Sequence, residues 1–403
     1  MSAPGDADRP ALEGGLPVRD TLLPFFRVEL GSEEEEAAVR ALRSGWISTG
    51  PECERFEADL AGFLGLPPAQ AVSVASCTAG LHLALRAAGV GPGDEVITSP
   101  MTFPASANAI LHAGAVPVFA DVVPAWLTLD PAAVRAAVGP RTRAILPVHF
   151  AGWPCEMDAL GGIAAEHDLA IVEDAAHAIG ATWRGRPAGT LGDAAAFSFY
   201  ATKNLTTCEG GLVATAHPEW ARRMRVERLH GIDLDASQRD GHDYRHWESV
   251  SLGWKYNLND LQAAIGRVQL ARLPEQVRLR READSRYRAA LAASELVEPI
   301  SGPAGAETAA HLFPVRLRTE RLRVGRDHVL RALLAENVGV GVHFRALPLH
   351  RFFRDAGHRP EAVPAAVEAS HRLLSLPLHP GIKELEQQQV VEALLRILRW
   401  YAA

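Results

Sequence analysis

Apolar and polar positions change their period several times along the chain. Over residues 33–44 the apolar positions recur at helical spacing. Acidic residues occupy the first turn, where the helix dipole favours them, so an amphipathic helix is predicted. Farther on, short β-rich runs at 71–75, 95–98, 116–121, 144–150, 170–173, 195–199 and 212–215 alternate with helical stretches at 78–88, 104–113, 131–138 and 157–167. This alternation predicts a large α/β domain with a mostly parallel seven-stranded sheet covered on both faces. After Thr215 come a helix near 219–229, a polar and aromatic stretch over 231–251 that predicts a long loop, and a helix over 259–273. The remainder mixes helices with two strand-like runs, 312–317 and 339–344. The predicted organisation is a disordered lead-in over 1–22, a large domain over 23–275 and a smaller C-terminal α+β domain over 276–403.

Composition narrows the function without choosing it. Of the 403 residues 48% are hydrophobic, enough for a sizeable core, and the net charge of -7 comes with no long basic run, against a nucleic-acid footprint. Cys53, Cys77, Cys155 and Cys208 are scattered without a CxxC pair. That argues against a zinc site or a disulfide framework and suits reduced thiols in the cytoplasm. The N-terminus lacks the basic start and apolar core of a secretory signal, and no run reaches the roughly 20 apolar residues of a membrane span. No metal site is expected.

The candidate chemistry lies at strand ends. Asp174 closes a buried strand, where ligands sit in open α/β sheets. A carboxylate there either caps the next helix or pairs with a cation such as a protonated pyridine nitrogen. Lys203 follows another apolar strand; it is an exposed loop lysine or an amine whose pKa burial lowers, fit for imine formation. Ser198 on the same passage can give a hydroxyl to a phosphate or be a satisfied core serine. Cys77, Thr78 and Ala79 open a helix whose N-terminal N–H groups suit a phosphate. Phe103 can stack on a planar cofactor or simply pack. His177, one turn beyond Asp174, can orient that carboxylate, contact the cofactor or be structural. Together these pieces make the constellation that pyridoxal phosphate requires.

At this point the sequence resembles the DegT/StrS family of pyridoxal-phosphate-dependent sugar aminotransferases, of fold type I. Gly45-Trp-Ile-Ser-Thr-Gly-Pro51, Ser76-Cys-Thr-Ala-Gly-Leu-His82, Glu173-Asp-Ala-Ala-His177, Phe197-Ser-Phe-Tyr-Ala-Thr-Lys203, Glu209-Gly-Gly211 and Gly253–Asp260 carry the likeness, which runs from about Leu23 to the C-terminus. Within the family the chain is most similar to enzymes that aminate a UDP-4-keto-pentose, on Pro147-Val-His-Phe-Ala-Gly152, Tyr256-Asn-Leu and Val342-His-Phe-Arg345.

The resemblance implies that Lys203 carries the cofactor as a Schiff base and shuttles the proton. Asp174 pairs with the pyridine nitrogen, Phe103 and His177 flank the ring, and Thr78, Ala79 and Ser198, with the Cys77 backbone, hold the phosphate. It also implies a homodimer in which Gly253–Asp260 reaches the neighbouring subunit's phosphate through Lys255 or Asn257. L-Glutamate is the expected donor and a UDP- or dTDP-linked 4-keto sugar the expected acceptor. Trp46, Ser48, Thr49, His343 and Arg345 are the candidate substrate contacts. A keto-cyclitol acceptor and a non-catalytic, cofactor-binding regulatory protein are the alternatives. Sugar-dehydrating relatives have His in place of the lysine, so Lys203 favours transamination.

Overall fold

Seven short strands build the main sheet: β1 (Ala71–Val74), β2 (Glu95–Thr98), β3 (Val116–Phe119), β4 (Thr142–Leu146), β5 (Ala170–Asp174), β6 (Ala194–Ser198) and β7 (Gly211–Thr215). Their spatial order is β1-β7-β6-β5-β4-β2-β3. All pairings are parallel except those of β7, which runs against both β1 and β6. The carboxyl ends of the other six strands therefore share one edge of the sheet. The computed structural model describes residues 9–233 and 246–403.

Period-two alternation divides each strand between two apolar layers. Val72, Val96, Val172, Ala196 and Val213 join one core; Ala71, Ala195, Phe197 and Leu212 join another on the opposite face, while Ile97, Ile145 and Ile171 extend a third. Helices α2 (Pro51–Leu64), α3 (Cys77–Ala87), α4 (Ala105–His112), α5 (Pro131–Ala137), α6 (Met157–His167) and α7 (Pro218–Glu227) alternate with or flank the strands and cover the sheet, while α1 (Ser32–Ser44) precedes them and packs through Ala37 and Ala41 on Ala264. Gly80 of α3 fits because it has no side chain: a Cβ would stand 2.8 Å from Val213.

The helix expected to end at Leu273 continues instead as α8 (Asp260–Leu291), straight through Pro274. An interior proline costs about 3 kcal/mol, but buried Leu270, Leu273, Val277, Ala283, Tyr287 and Leu291 lie on both sides of it. Several such side chains, each contributing about 1.5–3 kcal/mol on burial, outweigh one lost bond. The C-terminal part adds an antiparallel sheet of β8 (Val297–Pro299), β9 (Phe313–Leu317) and β10 (Leu373–Leu376), with α9 (Arg326–Ala335) and α10 (Glu384–Trp400) against it. The run 339–344 is not a strand. Its backbone bonds to two different neighbours, Gly339 to Leu23 and Gly341 to Ser375, so no ladder forms.

The lead-in also differs from expectation. Residues 1–8 lie outside the described residues, but 9–22, although mostly exposed, are tied by hydrogen bonds to the C-terminal part of the chain. Glu336, fully buried, accepts the Ala11 and Val18 N–H groups and pairs with Arg396, and Tyr401 hydrogen-bonds Glu13. A buried carboxylate needs such donors, and the N-terminal segment supplies them. Most of the loop expected over 231–251, residues 234–245, lies outside the described residues.

Beneath the edge that carries the site, Glu173 is 0% exposed. Its carboxylate accepts N–H groups of Gly189, Leu191 and Gly192 and pairs with His149 Nε2 at 2.8 Å. His149 Nδ1 accepts the Cys155 N–H, which places the imidazole proton on Nε2. Glu173→Ala would orphan one buried and two half-buried N–H groups and the buried His149 ring, so a loss of about 3–5 kcal/mol is expected. Urea unfolding monitored by tryptophan fluorescence checks it; a midpoint equal to wild type would show the network to be dispensable.

Candidate active site

The carboxyl ends of β1, β2, β5 and β6 surround a cavity of about 630 Å³, within the range that holds a cofactor and part of a substrate. After β1 the chain enters α3 with Ser76 as N-cap, its hydroxyl accepting the Ala79 N–H at 3.1 Å. Cys77 and Thr78 occupy the first turn and line the cavity. The expected Ala79 donor is therefore taken by Ser76, and Ala79 does not line the cavity. Gly211 lets the start of β7 pass close by: a Cβ there would sit 2.7 Å from the Cys77 nitrogen.

Asp174 ends β5, 6% exposed. The Ser106 hydroxyl donates to one carboxylate oxygen at 2.6 Å and the Ala176 N–H to the other at 3.1 Å. Burial pushes its pKa up, against these donors and the Lys203 charge. The carboxylate is thus hydrogen-bonded by neutral groups alone, and it stands in a cavity that has room for a cation. Cys77 donates to the Ala196 carbonyl, its sulfur 4.0 Å from Asp174; burial drives this thiol's pKa well up, so it stays protonated.

Lys203 lies in the turn after β6, its N–H bonded to the Tyr200 carbonyl. The side chain keeps some surface toward the cavity but is otherwise walled by protein. Burial lowers its pKa to about 8, against the pull of Cys77 and Asp174. Ser198 and Tyr200 line the same wall, and Phe103 stands at the mouth, 63% exposed. His177 stacks on Phe344 at 5.9 Å and lies tilted by 35° against His311 at 4.4 Å. Its Nδ1 is buried with no partner among the described residues, and burial drives its pKa well down. His343 also lines the cavity, Nδ1 to Ser375 Oγ at 2.9 Å.

Other expected residues are elsewhere. Trp46, Ser48 and Thr49 do not line this cavity but brace the start of α8: Trp46 donates to the Thr49 carbonyl, Thr49 to the Leu258 carbonyl, and the Asp260 N–H to the Ser48 carbonyl. Asn257 is drawn into the same brace, donating to Thr49 Oγ1 at 2.7 Å. Lys255 is exposed, and Arg345 points outward to the Leu349 carbonyl. Short polar side chains beside an N-cap satisfy backbone groups first, which draws these residues away from the cavity. Conversely Ser106, Thr102, His149 and His311 were not anticipated. Ser106 sits one turn after Phe103, a spacing that could have marked it. Among the described residues no His, Cys, Asp and Glu cluster could hold a metal, and no helix is long and apolar enough to cross a membrane.

A family model described as DegT/DnrJ/EryC1/StrS aminotransferase family matches residues 28–395. The spore coat polysaccharide biosynthesis protein SpsC of Bacillus subtilis is 42% identical over 385 residues, 94% of this chain and 98% of its own. The putative sugar aminotransferase Spr1654 of Streptococcus pneumoniae, solved in its PMP form, superposes with a TM-score of 0.88 at 30% identity, covering 94% of this chain and 99% of its own. DesI, solved in the presence of its TDP-sugar product, gives 0.85 at 34% identity, covering 96% and 95%.

Proposed function

The chain belongs to the DegT/DnrJ/EryC1/StrS aminotransferase family, a pyridoxal-phosphate-dependent family, and from that premise we propose that it moves an amino group from L-glutamate to a nucleotide-linked 4-keto sugar. One observation carries the reading. A lysine amine with a pKa of about 8 shares a cavity with a buried carboxylate that, among the described residues, no cation hydrogen-bonds. An amine and an unpaired carboxylate at the end of a sheet are what a pyridine aldehyde phosphate needs at its two opposite ends. The cofactor, when bound, supplies an electron sink and the carbonyl that carries the amino group between substrates.

The residues divide the remaining work. Asp174 holds the proton of the ring nitrogen, with Ser106 and Ala176 fixing the carboxylate. The α3 N-terminus at Cys77 and Thr78, with the Ser198 hydroxyl, binds the phosphate. Phe103 and His177 bracket the ring. Lys203 Nζ, largely neutral above about pH 8, takes the proton from the donor's amine-bearing carbon and delivers one to the sugar carbon. The enzyme works as a homodimer in which exposed Lys255, rather than Asn257, reaches the neighbouring subunit's phosphate; Asn257 is already spent on Thr49.

Visible absorption of the purified protein tests the reading. The expected result is a cofactor band that bleaches with L-glutamate and returns with a UDP- or dTDP-4-keto sugar. A band indifferent to glutamate would overturn the donor. Return only with a nucleotide-free keto-cyclitol would overturn the nucleotide sugar.

A further inference from the structure

His311 lines the cavity from the segment just before β9, far along the chain from Lys203, yet it is hydrogen-bonded to the residue next to that lysine. Asn204 is 3% exposed. Its Nδ2 donates to the Ala309 carbonyl at 2.8 Å, which turns its Oδ1 toward His311 Nδ1 at 3.1 Å. An amide oxygen can only accept, so His311 Nδ1 must carry the hydrogen. In the neutral ring the other nitrogen, Nε2, is then a bare lone pair, and no described residue donates to it. The backbone on both sides is held as well: the Ala310 N–H bonds Thr308 Oγ1, and Arg280 reaches the His311 carbonyl at 3.5 Å.

We propose that Asn204 is a positioning residue: it fixes His311 in the Nδ1–H form, so that Nε2 meets whatever enters beside Lys203 as a neutral acceptor and selects a hydrogen-bond donor at that point. The donor is an ammonium or amine of the amino donor, or a hydroxyl of the keto sugar; both present N–H or O–H to the same lone pair. The groups that act most strongly on His311 are bases in their cationic or neutral form: His177, Lys203, Arg280 and His343. None of them stabilises an imidazolium, and burial adds to that, driving the His311 pKa well down. Asn204 completes the arrangement. An aspartate of the same shape would accept the same hydrogen but pair with an imidazolium.

The inference rests on the aminotransfer reading for its consequence, but its first test does not. Magic-angle-spinning NMR of the ¹⁵N-histidine-labelled holoenzyme distinguishes a protonated from a bare nitrogen in each ring, and His311→Gln identifies the His311 signals. His311 is expected in the Nδ1–H form from pH 6 to 9. A ring protonated at Nε2, alone or together with Nδ1, would overturn the proposal whether or not the protein transaminates. In Asn204→Asp the His311 protonation midpoint should rise by about one to three pH units. The kcat/KM profile should gain an acid limb falling about ten-fold per pH unit below that midpoint. A limb confined to the glutamate half-reaction makes the amine the group received, and one confined to the sugar half-reaction makes it a hydroxyl. An unmoved midpoint, or no new limb in either half-reaction, sinks the proposal; the wild-type spectrum decides it alone if the variant does not fold.

Discussion

Lys203→Ala should lower kcat by at least about a thousand-fold and abolish the visible cofactor band, while leaving the protein folded. On the proposed assignment two functions converge on this amine, the covalent hold on the cofactor and the proton transfer, and the latter alone is commonly worth about 10²–10⁴. The environment shows why the site can use it. Burial lowers its pKa to about 8, so a substantial fraction of the amine is neutral and nucleophilic near physiological pH, where an exposed lysine is almost wholly protonated. The same burial makes the side chain a poor stabiliser of the fold, because a desolvated cation costs free energy. Alanine therefore removes function without removing a structural contact, and the urea midpoint is expected to stay close to wild type. Lys203→Arg separates charge from nucleophilicity. A guanidinium keeps the positive charge but is never neutral in the working range, so it should be as inactive as alanine. Near-normal turnover in either variant would refute the assignment of Lys203.

The sheet was legible in the sequence because both of its faces are buried. Each strand is a short apolar run closed by polar or turn residues, and the seven expected runs coincide with β1 to β7 to within a few residues, β4 ending four residues short of its run. Elements held by less local forces were harder to read. Helix α2 carries a plain stripe in Cys53, Phe56, Leu60 and Leu64, but its Gly50-Pro51 start looks like a turn; glycine is the N-cap and proline the first helical residue. The 339–344 run has strand composition, yet it lies between Leu23 and Ser375 and pairs fully with neither. The site divides the same way. Asp174, Lys203, Ser198, Phe103 and the start of α3 line one cavity, a grouping legible in the sequence because strand ends on one edge of a parallel sheet are neighbours by topology. Ser106 and His311 gain their meaning only from Asp174 Oδ2 and Asn204 Oδ1, partners that no spacing announces. Trp46, Ser48 and Thr49 sit in a motif whose contacts run to Leu258 and Asp260; their chemistry suited a pocket, and their backbone neighbours claimed it first.

Asp174→Asn should cut kcat/KM by about 10²–10⁴ while the cofactor-free protein becomes no less stable at pH 7. The activity estimate follows from breaking a buried pair between the carboxylate and a protonated ring nitrogen, about 3–5 kcal/mol. The stability estimate has the opposite sign for a definite reason. Burial raises the folded-state pKa of Asp174 above the unfolded value of 3.8. A raised acid binds its proton more tightly in the folded chain, so the wild type loses stability as pH rises from below the unfolded pKa through the folded one, a loss that a neutral side chain does not suffer. Asparagine carries no charge to desolvate, and its carbonyl oxygen still accepts from Ser106 or from Ala176. A carboxylate that served only to cap the segment after β5 would behave otherwise. Asparagine is as good a cap as aspartate, so activity would survive along with stability. Kinetics of the loaded enzyme and urea unfolding of the cofactor-free protein, measured on one preparation, therefore separate the two roles. Collapse of activity with the fold intact assigns Asp174 to the cofactor. Retention of both returns it to the backbone.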